Sequence, residues 1–387
     1  MGKGVLGFLI LALLLASTFA YWFTLSGRSR GVAEGKPVDS YTEFALDFLK
    51  RLEMGEKNMV ASPLSVYVAM LMLAEGAGGS TKSELLNALR LHSLNDSREW
   101  FGSTLRGILS AEEPAEVSIA NCVWVQKGFP ISVRYLEAMM RYYLAGVQYA
   151  DFEADPAGSA QLINAWVKNQ TRGFIDQILS PSSLDAGTRV VLTNALYFRG
   201  NWTTPFETVE KDVFRSPEGD ITTDFLVGKV DARLLESSDY TAVALSYRGT
   251  GIEFVVLMPK GDLKGYLKDL SKEELLEILN QLLVSEPTTV QLSLPVFDID
   301  SGVFSVKKVL QDMGVREAFD PLKADLSPMV EGGSRTLFVK DVYHRARVKV
   351  GLTGTEAAAA TAVVIAVTAV QPSAAKTIRI DRPFLFF

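Results

Sequence analysis

Residues with catalytic chemistry are scarce in this 387-residue chain, which contains only two histidines, His92 and His344, and one cysteine, Cys122. A serine hydrolase could use either histidine as its base, but the one Gly-x-Ser-x-Gly match, at residues 27–31, directly follows an apolar run and does not lie between a strand and a helix, as a nucleophile elbow requires. It also has no His-Glu-x-x-His motif and no paired cysteines that would indicate a metal site. We therefore predict that the protein is not an enzyme and holds no cofactor. His92 is expected at the surface or at a helix end, and His344 as a hydrogen-bonded structural residue.

A different chemistry is indicated by residues 354–370, a run of small residues that becomes β-branched, carries one charge at Glu356 and lacks proline. The alanines of 357–360 favour a helix, but the β-branched residues of 363–367 favour a pleated backbone. The run is too short for a membrane span, which needs about 20 residues, and longer than most buried strands. Read with a period of two, both faces are small or slim and no backbone N–H is missing. The run therefore suits a strand that inserts between two others.

The elements that would hold such a strand include amphipathic helices. Apolar residues recur at helical spacing over 44–52 and over 66–73. Thr81 and Glu84 have the spacing of a capping box ahead of a further apolar stretch. These patterns predict helices that pack against the core.

Short apolar runs predict the strands. Residues 118–125, 190–198 and 252–258 are largely apolar, and 290–294 alternates between apolar and polar residues. Helices and strands together place the protein in the α+β class. Within the first of these strands, Cys122 is expected to be a buried small hydrophobe, and a single cysteine excludes intramolecular disulfides.

Composition indicates one large domain, because no Gly/Ser or Pro linker and no repeat divides the chain after residue 38. Charged residues make up 22% of the chain, and the net charge is −6. No basic stretch is available to neutralise phosphates, so we do not expect nucleic acid as a partner.

Residues 354–362, Gly-Thr-Glu-Ala-Ala-Ala-Ala-Thr-Ala, resemble the hinge of the reactive-centre loop of inhibitory serpins. Other segments resemble serpin signatures in the same order: 58–65, 76–81, 193–202, 294–297, 324–327, 344–346 and 381–384. The similarity extends from residue 38 to residue 387, and the joint occurrence of these motifs makes it specific. It implies a serpin fold, with about nine helices around three β-sheets and an exposed reactive-centre loop.

The resemblance implies that the protein is a suicide substrate. A target protease would attack the loop, and the cleaved loop would insert into the main β-sheet before the acyl-enzyme hydrolyses. The hinge residues carried over from the family are Gly354, Thr355, Glu356, Ala357, Ala358, Ala359, Ala360, Thr361 and Ala362.

The family's spacing from the hinge glycine places the scissile bond at Thr368–Ala369, with Ala366 and Val367 as upstream subsite residues. The segment from there to Pro383 is longer than usual, which leaves room for a displacement of one to three positions. No lysine or arginine lies between residues 349 and 376. The expected target is therefore an elastase-like or subtilisin-like serine protease with a preference for small apolar residues.

The resemblance also implies a polar cluster beneath the main sheet, where the strands part to admit the loop. Its residues would be Ser62, Ser65, Asn194 and His344, with Trp202 at the upper end of the sheet where insertion starts. Capping and ordinary core hydrogen bonds account equally well for the two serines, and Trp202 also suits a large core aromatic.

The first 30 residues form a separate segment that we interpret as a signal peptide or membrane anchor with a short linker. Residues 5–25 are almost unbroken apolar sequence. The stretch Thr18-Phe19-Ala20 offers a small-x-small cleavage site, but about 20 apolar residues can also span a bilayer. We expect a secreted protein or one anchored outside the cytoplasm, followed by a monomeric serpin domain over 31–387.

The chain departs from the family pattern at three places. Leu352 and Thr353 stand where the family usually has an acidic pair, and Lys349 stands where an acidic residue is common. The sequence also stops at Phe387, where a serpin would continue for about 20 residues through a strand of the second sheet. Three explanations remain open: an incomplete sequence, a strand supplied by a partner, or a product that misfolds.

An alternative function is a non-inhibitory serpin-fold protein that acts as a binding or chaperone-like module at the cell surface. The small residues of the hinge favour inhibition, because a loop that never inserts would tolerate bulky, charged or proline residues there. The low content of asparagine, glutamine and cysteine suggests a heat-adapted source. The resemblance is to a serpin of prokaryotic type.

Overall fold

The fold was analysed in a computed structural model that describes residues 36–52, 57–109, 111–355 and 375–387. Nine α-helices lie in this part of the chain, as the sequence predicted. They are α1 (Lys36–Arg51), α2 (Pro63–Glu75), α3 (Gly79–Ala88), α4 (Asn95–Leu109), α5 (Val133–Tyr143), α6 (Pro156–Gln170), α7 (Leu263–Asp269), α8 (Lys272–Val284) and α9 (Lys307–Asp312). Two 3₁₀ turns cover Glu317–Phe319 and Ser327–Met329.

The described strands form three sheets, which confirms the predicted α+β class. A six-stranded main sheet has the order β2-β1-β3-β13-β12-β9, a seven-stranded sheet the order β14-β8-β5-β6-β7-β15 with β4 added on β5, and β10 pairs with β11. The strands are β1 (Glu116–Gln126), β2 (Ala145–Ala150), β3 (Val190–Asn201), β4 (Thr208–Ser216), β5 (Gly219–Glu236), β6 (Tyr240–Ser246), β7 (Glu253–Pro259), β8 (Thr288–Pro295), β9 (Phe297–Asp300), β10 (Phe304–Ser305), β11 (Tyr343–His344), β12 (Arg347–Gly351), β13 (Gly354–Thr355), β14 (Lys376–Arg379) and β15 (Leu385–Phe386).

Helices cover both faces of the main sheet. Successive side chains of a strand point to opposite faces, so Cys122 and Trp124 of β1 pack in the apolar cluster that contains α6. Val123 and Val125 of the same strand pack in the cluster that contains α2. Cys122 is fully buried, and burial raises the pKa of its thiol to about 12, so it is an inert core residue as predicted.

Helix α2 runs through the core beneath the sheet and contacts β3. Its start is determined locally, because the Ser62 hydroxyl accepts a hydrogen bond from the Ser65 amide at 3.2 Å and Pro63 occupies the first turn. Eleven of its thirteen residues are buried, so the helix has almost no polar face. Such a helix is stable only when it is surrounded by other elements.

The predicted capping box is wrong. Helix α3 begins at Gly79, so Thr81 and Glu84 lie inside it. The Thr81 hydroxyl accepts a hydrogen bond from the Asp325 amide at 3.0 Å, and the Glu84 carboxylate accepts one from the Glu317 amide at 2.8 Å. Both side chains therefore form long-range tertiary contacts in place of the local ones that their spacing suggested.

The predicted N-terminal segment, 1–30, lies outside the described residues. Within the described ranges, no helix is both long and apolar enough to cross a membrane. At the other end of the chain, β15 pairs with β7, and the phenylalanine side chains within and beside β15 are divided between two cores. Phe384 and Phe386 pack beneath the seven-stranded sheet, and Phe387 packs in the cluster that contains α2.

Candidate functional site

The first two hinge residues already form a strand in the main sheet. Gly354 and Thr355, which make up β13, pair antiparallel with Asn201 and Gly200 of β3. On their other side they pair antiparallel with β12, Gly354 opposite Gly351. The chain thus turns back immediately after β12 and enters between two strands.

Backbone hydrogen bonds hold this turn. The Trp202 amide donates to the Thr353 carbonyl at 2.8 Å, and the Phe206 amide donates to the Leu352 carbonyl at 3.1 Å. The Trp202 indole N–H donates to the Gly351 carbonyl at 3.0 Å. The two residues that replace the family's acidic pair are therefore held through their main chain.

Glycine is required at the entry point because the two backbones approach closely. A Cβ atom on Gly354 would lie 2.0 Å from the Gly200 carbonyl oxygen and 2.8 Å from the Asn201 Cα. A Cβ atom on Gly200 would lie 2.8 Å from the Tyr247 ring. Each glycine lets the neighbouring chain occupy the space of a side chain.

Aromatic side chains form the floor of this entry point. The Trp202 and Tyr247 rings stack with centroids 4.7 Å apart, and Phe198 meets Tyr247 edge-on at 4.7 Å. The Tyr247 hydroxyl is hydrogen-bonded to the Thr355 hydroxyl, and both residues are buried. Burial raises the pKa of Tyr247, which therefore acts as a neutral hydrogen-bonding group.

Below β13 the main sheet is open along one side of β3. Residues 190–199 of β3 have β1 as partner on one side. On the other side they face residues 336–348, and the described residues form no ladder across this gap. The space between them, called the slot below, is a cavity of about 380 Å³. A single water needs only about 15 Å³, so the slot is far larger than a packing defect.

The slot has an inner and an outer wall in addition to its two edges. Helix α2 and residues 60–62 line it on the inner side. The outer wall consists of residues 174–189, which connect α6 to β3. Thr355 lines the upper end, so the slot begins where β13 stops.

Three of the predicted polar residues meet in the slot. The Ser62 amide donates to His344 Nε2 at 3.0 Å, and the Ser62 and Ser65 hydroxyls are 3.0 Å apart. His344 is buried, and desolvation lowers its pKa from 6.5 to about 4, so the imidazole is neutral at pH 7. Its ring also packs edge-on against Phe304 at 5.4 Å.

Asn194 lines the same slot but is bonded elsewhere. Its side-chain amide donates to Asn121 Oδ1 at 2.6 Å, and the Asn121 amide in turn donates to the Tyr143 carbonyl at 2.7 Å. Asn194 Oδ1 is buried and has no hydrogen-bond partner among the described residues. A buried acceptor left unpaired is unfavourable, so this atom would gain from a donor placed in the slot.

The structure thus brings Ser62, Ser65, His344 and Asn194 to one cavity and places Trp202 above it, at the entry point. Hinge residues 356–362 and the predicted cleavage region, 366–369, lie outside the described residues. Sequence reasoning missed Tyr247 and Asn121, because neither residue belongs to a motif or to a periodic pattern.

The fold and this arrangement agree with comparisons to known proteins. A family described as "Serpin (serine protease inhibitor)" matches residues 39–387. The chain belongs to the serpin family.

Relatives include an uncharacterised serpin-like protein of the archaeon Thermococcus kodakarensis, 33% identical over 91% of this chain and 82% of that protein. The leukocyte elastase inhibitor of Equus caballus is 30% identical over 89% of this chain and 93% of its own length. The crystal structure of the thermophilic serpin tengpin in its native state has a TM-score of 0.79 and 26% identity, over 93% of this chain and 92% of tengpin. Members of the family generally inhibit serine proteases and are not catalysts.

Proposed function

We propose that the protein inhibits a serine protease as a suicide substrate, by inserting its cleaved loop into the slot as a new strand. The observation that supports this most is the position of β13, which enters between β3 and β12 and stops at the upper end of a cavity bordered by β3 and residues 336–348. The chain that would fill the cavity is the one that follows Thr355 directly.

The register of β13 predicts which loop residues would pair with which residues of β3 after insertion. Gly354 lies opposite Asn201 and Thr355 opposite Gly200, so each further residue would move one position down β3. Residues 356–365 would then match positions 199–190, the part of β3 that faces the slot. All of these inserting residues are small or slim except Glu356.

The same count supports a role for the polar cluster. Continuing the register would place Thr361 opposite Asn194 on β3. On the other side, counting from the Val350–Thr355 pair would place Thr361 opposite His344. A threonine hydroxyl can both donate and accept, so Thr361 would supply the donor that Asn194 Oδ1 lacks.

In the proposed mechanism the protease supplies the chemistry. Its nucleophile attacks the scissile carbonyl, the peptide bond breaks, and the acyl-enzyme forms on the new C-terminus of the loop. Insertion of residues 355–368, at about 3.3 Å per residue, would carry the bound protease about 45 Å along the sheet. Serpin insertion of this kind releases energy stored in a metastable fold.

The proposed cleavage bond is Thr368–Ala369, with Ala366 and Val367 in the neighbouring subsites. Small apolar residues there favour an elastase-like or subtilisin-like target. The similarity to a leukocyte elastase inhibitor supports this choice. We also propose that the apolar segment 5–25 directs the protein out of the cytoplasm, so that it meets proteases outside the cytoplasm.

The alternative, a non-inhibitory binding or chaperone-like protein, would not need the hinge composition or the slot. The alanines of 357–360 and the absence of proline fit insertion, and no other described feature of the molecule requires them.

The test is to incubate the full-length protein with excess subtilisin or elastase and to examine the mixture on a denaturing gel and by intact mass. We expect a band at the summed mass and a released C-terminal peptide that begins at Ala369. Cleavage without any covalent adduct would contradict inhibition and support the alternative.

A further inference from the structure

The outer wall of the slot is a single segment that crosses the gap between its two edges. Residues 171–189, called the connector below, leave the end of α6 and return to the start of β3. Phe174 lies over the gap, because its ring is 6.1 Å from the Tyr197 ring of β3 and 5.0 Å from the Arg347 guanidinium of β12. A strand that fills the slot must pass beneath this segment.

The connector is held to the two edges of the slot by different forces. On the side of β3 and β1 the contact is mainly apolar, with one ion pair between Arg172 and Glu116 of β1 at 3.1 Å. Ile175, Ile178, Leu179 and Leu184 are buried in the cluster that includes Trp124 and Ala195. Buried apolar surface of this kind contributes stability that changes little with salt.

On the side of residues 336–348 the contact is mainly electrostatic. Arg345 pairs with Asp176 and also donates to the Gln177 carbonyl at 2.9 Å. Lys340 Nζ lies 2.8 Å from Asp185 Oδ2. Hydrogen bonding to Arg345 lowers the pKa of Asp176, and hydrogen bonding to Lys340 lowers the pKa of Asp185, so both aspartates are charged at pH 7.

Two features make this electrostatic side the weaker one. The aspartates are exposed, so each pair is screened by solvent and salt. Arg345 also has a second partner within its own half of the sheet, Asp300 of β9. Its charge therefore remains paired when Asp176 moves away, and release of the connector leaves no buried charge without a partner.

We propose that the connector is a strap, attached by its apolar residues to β1 and β3 and clasped by the Arg345–Asp176 and Lys340–Asp185 pairs to the far edge of the slot. Opening of this clasp sets how fast a strand enters the slot. This inference presupposes the proposed function. A clasp that opens faster lets a larger fraction of the loops insert before the acyl-enzyme hydrolyses.

The test compares the full-length protein with the double variant D176N/D185N. Asparagine at 185 keeps the side-chain acceptor that bonds the Gly187 amide at 3.0 Å and removes only the charge. The probe is a fluorophore-labelled synthetic peptide with the sequence of residues 356–367, and its rate of incorporation is followed by fluorescence anisotropy. We expect the double variant to take up the peptide about fourfold faster than the parent at low salt, about twofold for each exposed pair.

The matched control is D224N, which neutralises an aspartate paired with Lys211 at 3.0 Å in the β4–β5 hairpin, away from the connector. It should leave the rate unchanged. In the parent, 0.5 M NaCl should raise the rate toward that of the double variant, because salt screens the exposed pairs. The salt comparison alone serves as the test should the double variant not fold.

Two results would contradict the proposal that the clasp limits strand entry. Equal rates in the parent and the double variant would show that the strap does not limit entry, and the proposed function would stand. No uptake of peptide by either protein would show that the slot does not accept a strand, and the clasp would then have no entry to control. The protease-trapping assay, run in parallel, then reports separately whether inhibition itself is real.

Discussion

The hydroxyls of Tyr247 and Thr355 are hydrogen-bonded to each other in a buried position, although the two residues are 108 positions apart in the chain. Thr355 is the last described residue before the loop, and it lies between β3 and β12. The hinge therefore starts inside the sheet, with its side chain fastened to the aromatic floor at the entry point.

This contact makes Thr355→Arg a specific test of insertion. An arginine at a position that is 7% exposed would bury an unpaired charge, which costs several kcal/mol. We expect the variant to be cleaved by the protease but to trap it at least about tenfold less efficiently, which corresponds to about 1.4 kcal/mol between the two competing barriers. The ratio of covalent adduct to cleaved product on a denaturing gel measures the effect.

Tyr247→Phe is the matched control for Thr355→Arg, because it keeps the ring stacked on Trp202 and removes only the hydroxyl. The loss of one hydrogen bond is worth about 1 kcal/mol, so its effect on trapping should be smaller. Undiminished trapping by Thr355→Arg would contradict insertion at its first step.

Gly354→Ala should dislodge β13. Its new Cβ would lie 2.0 Å from the Gly200 carbonyl, and the backbone must shift to relieve this contact. Overpacking of this kind costs about 1–3 kcal/mol, and we expect faster hydrogen exchange at the Trp202 amide, which bonds the adjoining turn. Gly251→Ala, at a position with open space around the Cβ, is the control and should change neither stability nor exchange.

His344 predicts a pH dependence of stability. Burial lowers its pKa from 6.5 to about 4, so the unfolded chain binds a proton that the native state does not bind between these values. The free energy of unfolding should therefore fall by on the order of 3 kcal/mol as the pH falls from about 6.5 to about 4. Above that range the neutral histidine makes its full contribution to stability. Urea unfolding at pH 7 and pH 4.5 measures it.

His344→Gln supplies the comparison, because glutamine can still accept the Ser62 amide bond but does not titrate. The carboxylates titrate alike in both proteins, so the difference between their pH profiles isolates the histidine. Parallel profiles would show that His344 does not titrate as a buried group.

The proposed scissile bond predicts a change of target. Thr368→Arg should convert the protein into an inhibitor of a trypsin-like protease, because such enzymes select a basic residue before the bond they cleave. Association rates with trypsin and elastase, together with the mass of the released peptide, check this. Inhibition of trypsin by Val367→Arg or Ala369→Arg in place of Thr368→Arg would move the bond by one position.

Much of the architecture could be predicted from periodicity. The helical spacing over 44–52 and 66–73 matches α1 and α2, and the apolar run at 190–198 matches β3. Patterns of this kind are local, because the period of the apolar residues reports which face of an element is buried. The small residues of 354–370 likewise predicted a strand that inserts. Gly354 and Thr355 form β13 in the main sheet, and the rest of the run lies outside the described residues, so insertion stays a prediction.

Polar contacts could not be predicted in the same way. Thr81 and Glu84 have the spacing of a cap but bond to Asp325 and Glu317. Asn194, expected to join the serines and His344, bonds Asn121 on the neighbouring strand. A hydrogen bond depends on which groups the fold brings within about 3 Å, and sequence spacing carries no such information for distant residues.

The sequence by itself determined the kind of protein: a chain with little catalytic chemistry, a hinge of small residues and the motifs of a serpin. Only the tertiary structure decided that the main sheet is parted below β13, that Tyr247 holds Thr355, and that charged pairs clasp the connector across the slot. Each of these depends on surfaces that are far apart in sequence and meet only when helices and sheets pack together.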